Sequence, residues 1–167
     1  MQIGELPKWY VLRTNPKAEK KVAERLTAIG IDHYLPSHKQ LKIWHDRKKY
    51  VDEVLFKSYI FIYTTEAKRQ DVFAVSGIAK YLFVSGKIAV VTEKEIEQIK
   101  IFCTSADVKV EENYKKGDLV EVIAGQFIGL KGELVSETER QKLQIHIPVL
   151  NCFASISIDK NDVIKVF

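Results

Sequence analysis

Between Gly117 and Gly132 the chain reads Gly-Asp-Leu-Val-Glu-Val-Ile-Ala-Gly-Gln-Phe-Ile-Gly-Leu-Lys-Gly, and this stretch narrows the available folds more than any other. Leu119 to Ile123 is rich in β-branched residues and bounded by glycines, which predicts a strand. Gly125, Gly129 and Gly132 then fall within eight residues. Glycine at that density marks turns that need a positive φ or a close backbone approach. Phe127 sits inside the turn, where a solvated loop would have little use for it. Strand, Gly-aromatic-Gly turn and second strand together predict a compact hairpin of a small β-barrel.

The whole chain of 167 residues has room for one or two domains. Charge divides it. Residues 1–103 hold 18 Lys and Arg against 12 Asp and Glu, whereas residues 104–167 hold 8 against 10. Residues 1–50 alone carry 11 against 5, so any polyanion partner is expected on the first part. No run of about 18 apolar residues occurs, so no transmembrane helix is expected. Met1 to Lys8 lacks a basic segment followed by an apolar core, so no secretory signal is expected either. Cys103 and Cys152 make no CxxC and read as reduced thiols of a cytoplasmic protein.

Along the chain, Trp9-Tyr10-Val11-Leu12 predicts a strand. Asn15-Pro16 predicts a helix start, with Asn15 as N-cap and Pro16 at the first helical position. Ala18, Val22, Leu26 and Ile29 recur at helical spacing, and Gly30 is placed to end the helix. Extended segments follow at 33–44 and 48–56, joined at a His45-Asp46-Arg47 tip. Residues 59–63, Tyr-Ile-Phe-Ile-Tyr, predict a central strand. A short helix over 67–76 and a strand over 78–84 come next. Thr92-Glu93-Lys94-Glu95 is a capping box opening a helix with Ile96, Ile99 and Cys103 on its apolar side. This order predicts an α+β fold: an N-terminal α/β sandwich on a mostly antiparallel sheet over 1–103. The polar run 104–116 reads as a linker. Strands at 119–124, 131–137, 141–147, 152–158 and 162–166 predict a small SH3-like barrel over 117–167, its closure removing the sheet edges.

Residues 117–132 resemble the KOW motif, Gly-Asp-x-Val-x-Val-x-x-Gly-x-Phe-x-Gly-x-x-Gly, found in ribosomal proteins and in the NusG family of transcription elongation factors. The first part extends the resemblance to that family. Trp9-Tyr10-Val11-Leu12, the amphipathic helix and Leu35-Pro36 resemble the opening of the NusG N-terminal domain. Leu55-Phe56-Lys57-Ser58-Tyr59-Ile60-Phe61-Ile62 resembles its Phe-Pro-Gly-Tyr-Val-Leu-Val strand, with Lys57-Ser58 in place of Pro-Gly or Pro-Asn. Val75-Ser76-Gly77-Ile78 resembles its Pro-Gly-Val turn, and Val90-Val91-Thr92 with Glu95 its closing helix. The register is shared over about residues 9–166. The short hairpin at 42–48 is similar to that of specialised paralogues, the RfaH and polysaccharide-locus antiterminators.

The resemblance implies a transcription elongation or antitermination factor whose N-terminal domain binds the clamp helices of RNA polymerase. Phe56, Tyr59, Phe61 and Tyr81 are the candidate apolar contacts, the alternative being plain core. Lys68, Arg69 and Gln70 match by position the motif that meets the polymerase gate loop in RfaH-like proteins. Lys17, Lys21 and Arg25, four residues apart, form a candidate stripe for the non-template DNA strand, or a solvated helix face. Basic residues flank Trp44 in Lys42-Ile43-Trp44-His45-Asp46-Arg47-Lys48-Lys49, a composition suited to nucleic acid or to a soluble hairpin. In the barrel, Gly125, Phe127, Gly129 and Gly132 form the KOW turn. The family recruits Rho or the NusE-type ribosomal protein through this domain. The expected state is a cytoplasmic monomer.

Catalytic chemistry is not evident. His33, His38, His45 and His146 are scattered, and Ser37-His38 has no carboxylate orienter. No His/Cys/Asp spacing suits zinc, and the Gly-rich segment lacks the Lys-Ser/Thr of a P-loop. No enzyme activity, metal or cofactor is expected. The rival reading is a ribosome- or RNA-associated KOW protein, against which the net acidic C-terminal part argues.

Overall fold

The computed structural model describes residues 5–105, 108–111, 117–137, 140–158 and 162–166. In chain order the elements are β1 (Lys8–Thr14), α1 (Glu19–Ala28), β2 (Asp32–Tyr34), β3 (Ser37–Ile43), β4 (Lys48–Val54), β5 (Tyr59–Thr64), a 3-10 turn (Arg69–Ala74), β6 (Ile78–Tyr81), β7 (Phe83–Val84), β8 (Lys87–Ile88), β9 (Val90–Val91) and α2 (Glu93–Phe102). After α2 come β10 (Lys109–Glu111), β11 (Asp118–Val122), β12 (Lys131–Glu137), β13 (Arg140–Ile147), a 3-10 turn (Pro148–Leu150), β14 (Cys152–Ile158) and β15 (Val163–Lys165). The class is α+β with antiparallel sheets, as expected. The chain divides into two compact units, one of Met1–Pro36 with Phe56–Ile96 and one of Ser37–Leu55 with Glu97–Phe167.

In the first unit β1 is central. It pairs with β5 on one side and with β6 and β9 on the other, and β2 pairs with β5. Strand alternation splits the residues between two faces. Tyr10, Leu12, Ile60, Ile62 and Tyr81 pack with Val22 and Leu26 of α1 and with Val72 and Val75. Gly77 must approach this layer closely: a Cβ there would lie 2.9 Å from Val22 Cγ2.

Asn15-Pro16 does not start α1. Ala18 N–H donates to Asn15 O at 3.1 Å and Lys17 has φ +62, so Pro16 and Lys17 occupy the corners of a type II turn. The helix begins three residues after the proline, at Glu19, with Ala18 at the cap. Its end is as expected. Gly30 N–H donates to Thr27 O and Ile31 N–H to Leu26 O, a Schellman closure. The Thr92 capping box is also formed: Thr92 N–H donates to Glu95 Oε2 at 2.8 Å and Glu95 N–H to Thr92 Oγ1 at 3.2 Å. The expected extended segment 33–44 is broken at Pro36, which has no N–H for a ladder. The 67–76 helix is only a 3-10 turn, and 78–84 gives way to the small β7–β8 hairpin around Ser85-Gly86, both at positive φ. On α2 the buried side is Ile96, Ile99 and Phe102, with Cys103 half-buried.

The second unit holds the β3–β4 hairpin and a six-stranded sheet ordered β10-β14-β13-β12-β11-β15. The expected five strands are present. The sixth, β10, comes from within the expected linker and pairs Val110 with Ala154. The sheet is not closed among the described residues. β10 and β15 remain as edges of three residues each, which keeps the unpaired backbone short. Leu143, Ile145, Ile147, Ala154 and Ile156 are buried, and Phe127 of the Gly-rich turn is buried with them. The turn closes through Gly129 N–H to Val122 O at 2.8 Å and Leu130 N–H to Phe127 O at 3.1 Å. Gly125 and Gly129 have φ +79 and +86, whereas Gly132 is required by close approach.

Tyr81 makes the first unit pH-sensitive. Its hydroxyl donates to Arg69 O at 2.8 Å, and burial pushes its pKa up to about 12, against the pull of the Arg69 guanidinium. Burial raises Tyr10 as well. An unfolded tyrosine loses its proton near 10. Above that pH the unfolded chain binds fewer protons than the folded one, so stability is complete below about 10 and falls as pH rises toward about 12. Tyr81→Phe should flatten this fall while costing about 1 kcal/mol for the lost hydrogen bond. Denaturant titrations on both sides of pH 10 measure the two effects.

Candidate functional site

The sheet face turned away from α1 is rich in aromatic side chains. The register places Trp9 opposite Tyr63, Val11 opposite Phe61 and Arg13 opposite Tyr59, with Tyr34 beside Phe61 on the other flank. Directly opposed residues share a face, so all of these project to one side. Phe61 is fully buried at the centre. Tyr34 lies 6.4 Å from it at 25°, and Phe56 lies 6.4 Å from it edge-on at 82°. Trp9 and Tyr63 are 5.1 Å apart. Trp9, Tyr34, Tyr59 and Tyr63 are half-buried, so each keeps part of its ring at the surface. Arg13 and Lys80 pair beside Tyr59 and give this end of the face a basic rim.

The four expected aromatic contacts are therefore not equivalent. Tyr81 pairs with Leu12 and stands on the opposite, α1-facing side, where it meets Tyr10 and Phe73 edge-on. It cannot join a surface with Tyr59, because one register step reverses the face. Phe56 and Phe61 are buried and form the floor of the patch, and Tyr59 alone of the four retains surface. Trp9, Tyr34 and Tyr63 share this face with Tyr59, although the sequence did not mark them as candidate contacts. The signal for Tyr63 was its strand alternation with Tyr59 and Phe61. Trp9 and Tyr34 needed the pairing register.

One loop holds this arrangement in place. Tyr59 N–H donates to Phe56 O at 3.3 Å, and Ser58 sits at φ +66. That left-handed position is where the family pattern has glycine or asparagine. Ser58 N–H donates to Glu19 Oε1 at 2.6 Å, and Thr14 N–H donates to Ser58 O at 2.9 Å. Glu19 is buried in the first turn of α1 and so ties the helix to the turn that aims Phe56 and Tyr59.

The basic candidates separate too. Lys17 lies in the type II turn before α1, so it does not continue a helical stripe with Lys21 and Arg25. Lys21 is exposed. The Arg25 guanidinium donates to Ser76 O at 2.6 Å and braces the turn before Gly77. Lys68 and Gln70 are exposed, whereas Arg69 is half-buried over Tyr10 and Tyr81, 5.7 and 6.0 Å from their ring centres, and pairs with Glu66 at 3.0 Å. Lys68 opens onto a surface cleft of about 600 Å³ that also meets Ile31, Asp32, Tyr63 and Asp71. Among the described residues no three His, Cys, Asp or Glu side chains converge to hold a metal, and no helix is long and apolar enough to cross a membrane.

A family model described as "Transcription termination factor nusG" matches residues 7–100. The chain is 24% identical over 153 residues to the transcription termination/antitermination protein NusG of Rickettsia bellii, covering 85% of this chain and 80% of that protein. A solved structure of Thermotoga maritima NusG, described as showing domain interaction, superposes with a TM-score of 0.57 at 22% identity, covering 96% of this chain and 98% of that one. That likeness establishes the fold. The family match spans more than half of the chain and contains β1, α1, β5 and the whole aromatic face: the chain belongs to the NusG family of transcription elongation and termination factors.

Proposed function

We propose that this protein is a transcription elongation and antitermination factor that binds RNA polymerase through the aromatic face around Phe61. The observation that carries this reading is the patch of half-buried Trp9, Tyr34, Tyr59 and Tyr63 within the family-matched residues. An apolar surface with partly exposed aromatic anchors suits a helical partner, here the polymerase clamp helices, and Arg13 and Lys80 suit acidic residues at its edge. Phe56 and Phe61 support the anchors. Lys68 and Gln70 remain candidates for the opposite lobe, and Lys21 for the non-template DNA strand. Bridging the cleft stabilises a closed clamp only if the factor binds that state more tightly, which shortens pauses by population shift.

The functional domains are then 1–103 for polymerase and 117–167 for a second partner, with 104–116 between them. The outer face of β11 and β15 supports such recruitment: Leu119, Ile123 and Ile164 are about half exposed. A NusE-type ribosomal protein or Rho would dock there. The four-residue loop between Ile43 and Lys48 fits a specialised paralogue working in the cytoplasm.

Tyr59→Ala in the full chain should weaken binding to purified RNA polymerase about tenfold, within the 1–3 kcal/mol range of an interface anchor. Wild-type affinity in a folded variant contradicts the assignment. Recovery of ribosomal RNA without polymerase from cells would favour the RNA-associated reading.

A further inference from the structure

We propose that the cleft between the end of α1, the end of β5 and the 3-10 turn Arg69–Ala74 is a binding site for a small organic cation, an ammonium or guanidinium group on an aliphatic chain. The cleft measures about 600 Å³, a size that suits a small molecule. Pro7, Ile29, Ile31 and Ala74 supply apolar wall, and Ile29 keeps 49% of its surface exposed. Thr64 lines the cleft as well. It follows Ile60 and Ile62 on the α1 side of β5, the side on which Ile31 packs. Thr64 is only 8% exposed, yet its hydroxyl makes no hydrogen bond among the described residues. A buried hydroxyl without a protein partner is an acceptor that an incoming N–H satisfies.

The charges identify the ligand. Asp32, Asp71 and Lys68 are exposed at the rim, and none of them has an ion pair among the described residues. Two carboxylates against one ammonium leave the rim net negative. Ile29 and Gly30 follow the last turn of α1, where the helix dipole adds partial negative charge to the same wall. A cation is therefore favoured over an anion. The apolar walls suit an aliphatic chain rather than a hydrated metal ion, and Thr64 suits an N–H donor at its head. This head-and-stem chemistry occurs both in free polyamines and in the arginine or lysine side chain of another polypeptide. Of the aromatic sheet face only Tyr63 borders the cleft, so the site is distinct from the proposed polymerase contact.

The test is an amide chemical-shift titration of the full chain, without polymerase, with n-butylguanidinium, pentanol and pentanoate as cationic, neutral and anionic probes of similar length. Butylguanidinium should shift the amides of Ile31, Thr64, Thr65 and Asp71 along one saturating curve and bind more tightly than pentanol, while pentanoate leaves these amides in place. Asp32→Asn and Asp71→Asn should each weaken it about threefold, as loss of an exposed ion pair does. Thr64→Val, which keeps the shape of the side chain, should weaken it about fivefold through the lost hydrogen bond. Lys68→Gln should tighten it about twofold. Unchanged amide spectra away from each substitution establish that the variants are folded. Spermidine and a capped Gly-Arg-Gly peptide are then compared, and the tighter of the two identifies the source as a free polyamine or a polypeptide side chain. Pentanoate binding as tightly as butylguanidinium, saturation only at amides away from the cleft, unchanged affinity in the aspartate and Thr64 variants, or failure of both spermidine and the peptide to bind overturns the proposal.

Discussion

Gly132→Ala should destabilise the six-stranded unit by about 3 kcal/mol, at the upper end of the cost of overpacking. A Cβ at Gly132 would lie 2.5 Å from Gln144 O and 2.9 Å from Ile145 Cγ2. The first of these is backbone in the paired strand β13, so no rotamer change relieves it. A unit of this size has only a few kcal/mol of stability to lose. The contrast is Gly129→Ala, where nothing lies within 4 Å and the penalty is the φ of +86 alone, about 1–2 kcal/mol. Hydrogen exchange of the β12 and β13 amides measures both variants. Equal protection in the two would mean that the close approach at Gly132 is not what this turn requires.

Glu19→Ala should destabilise the first unit by about 2 kcal/mol. The buried carboxylate accepts the Ser58 N–H at 2.6 Å, and hydrogen bonds to charged groups contribute about 1.5–3 kcal/mol. Losing it leaves that N–H without its acceptor in a turn already held at φ +66, and removes an acidic group from the N-terminus of α1. Glu19→Gln keeps an acceptor and should retain most of the stability. Urea unfolding followed by tryptophan fluorescence distinguishes the two, and an alanine variant as stable as the parent would show that the turn does not depend on the carboxylate. Because this turn aims Tyr59, the alanine variant should also bind polymerase more weakly.

Local signals carried the parts of the fold that local physics decides. The alternation of residues 59–63, the Thr92–Glu95 box, Gly30 and the Gly-rich turn each specify a conformation within a few residues, and each is formed. Asn15-Pro16 misled because Pro is equally at home at the second position of a type II turn, and only the turn's tertiary setting chooses. β10 was illegible because Lys109-Val110-Glu111 is short and polar-flanked, and its strand state comes from pairing with β14, more than forty residues away.

The same distinction explains the site. Which aromatic residues share a face depends on register between strands distant in sequence. Tyr81 therefore entered the patch in error, and Trp9 and Tyr34 were left out. Glu19 is not marked out in the sequence at all, since nothing near it announces the Ser58 N–H from which it accepts.

The most direct test is the dwell time of purified RNA polymerase at a defined pause in single-round transcription, with and without the full-length protein. The account predicts a shorter pause half-life that reverts toward the unsupplemented value with Tyr59→Ala. An unchanged half-life at protein concentrations that saturate the polymerase would contradict it.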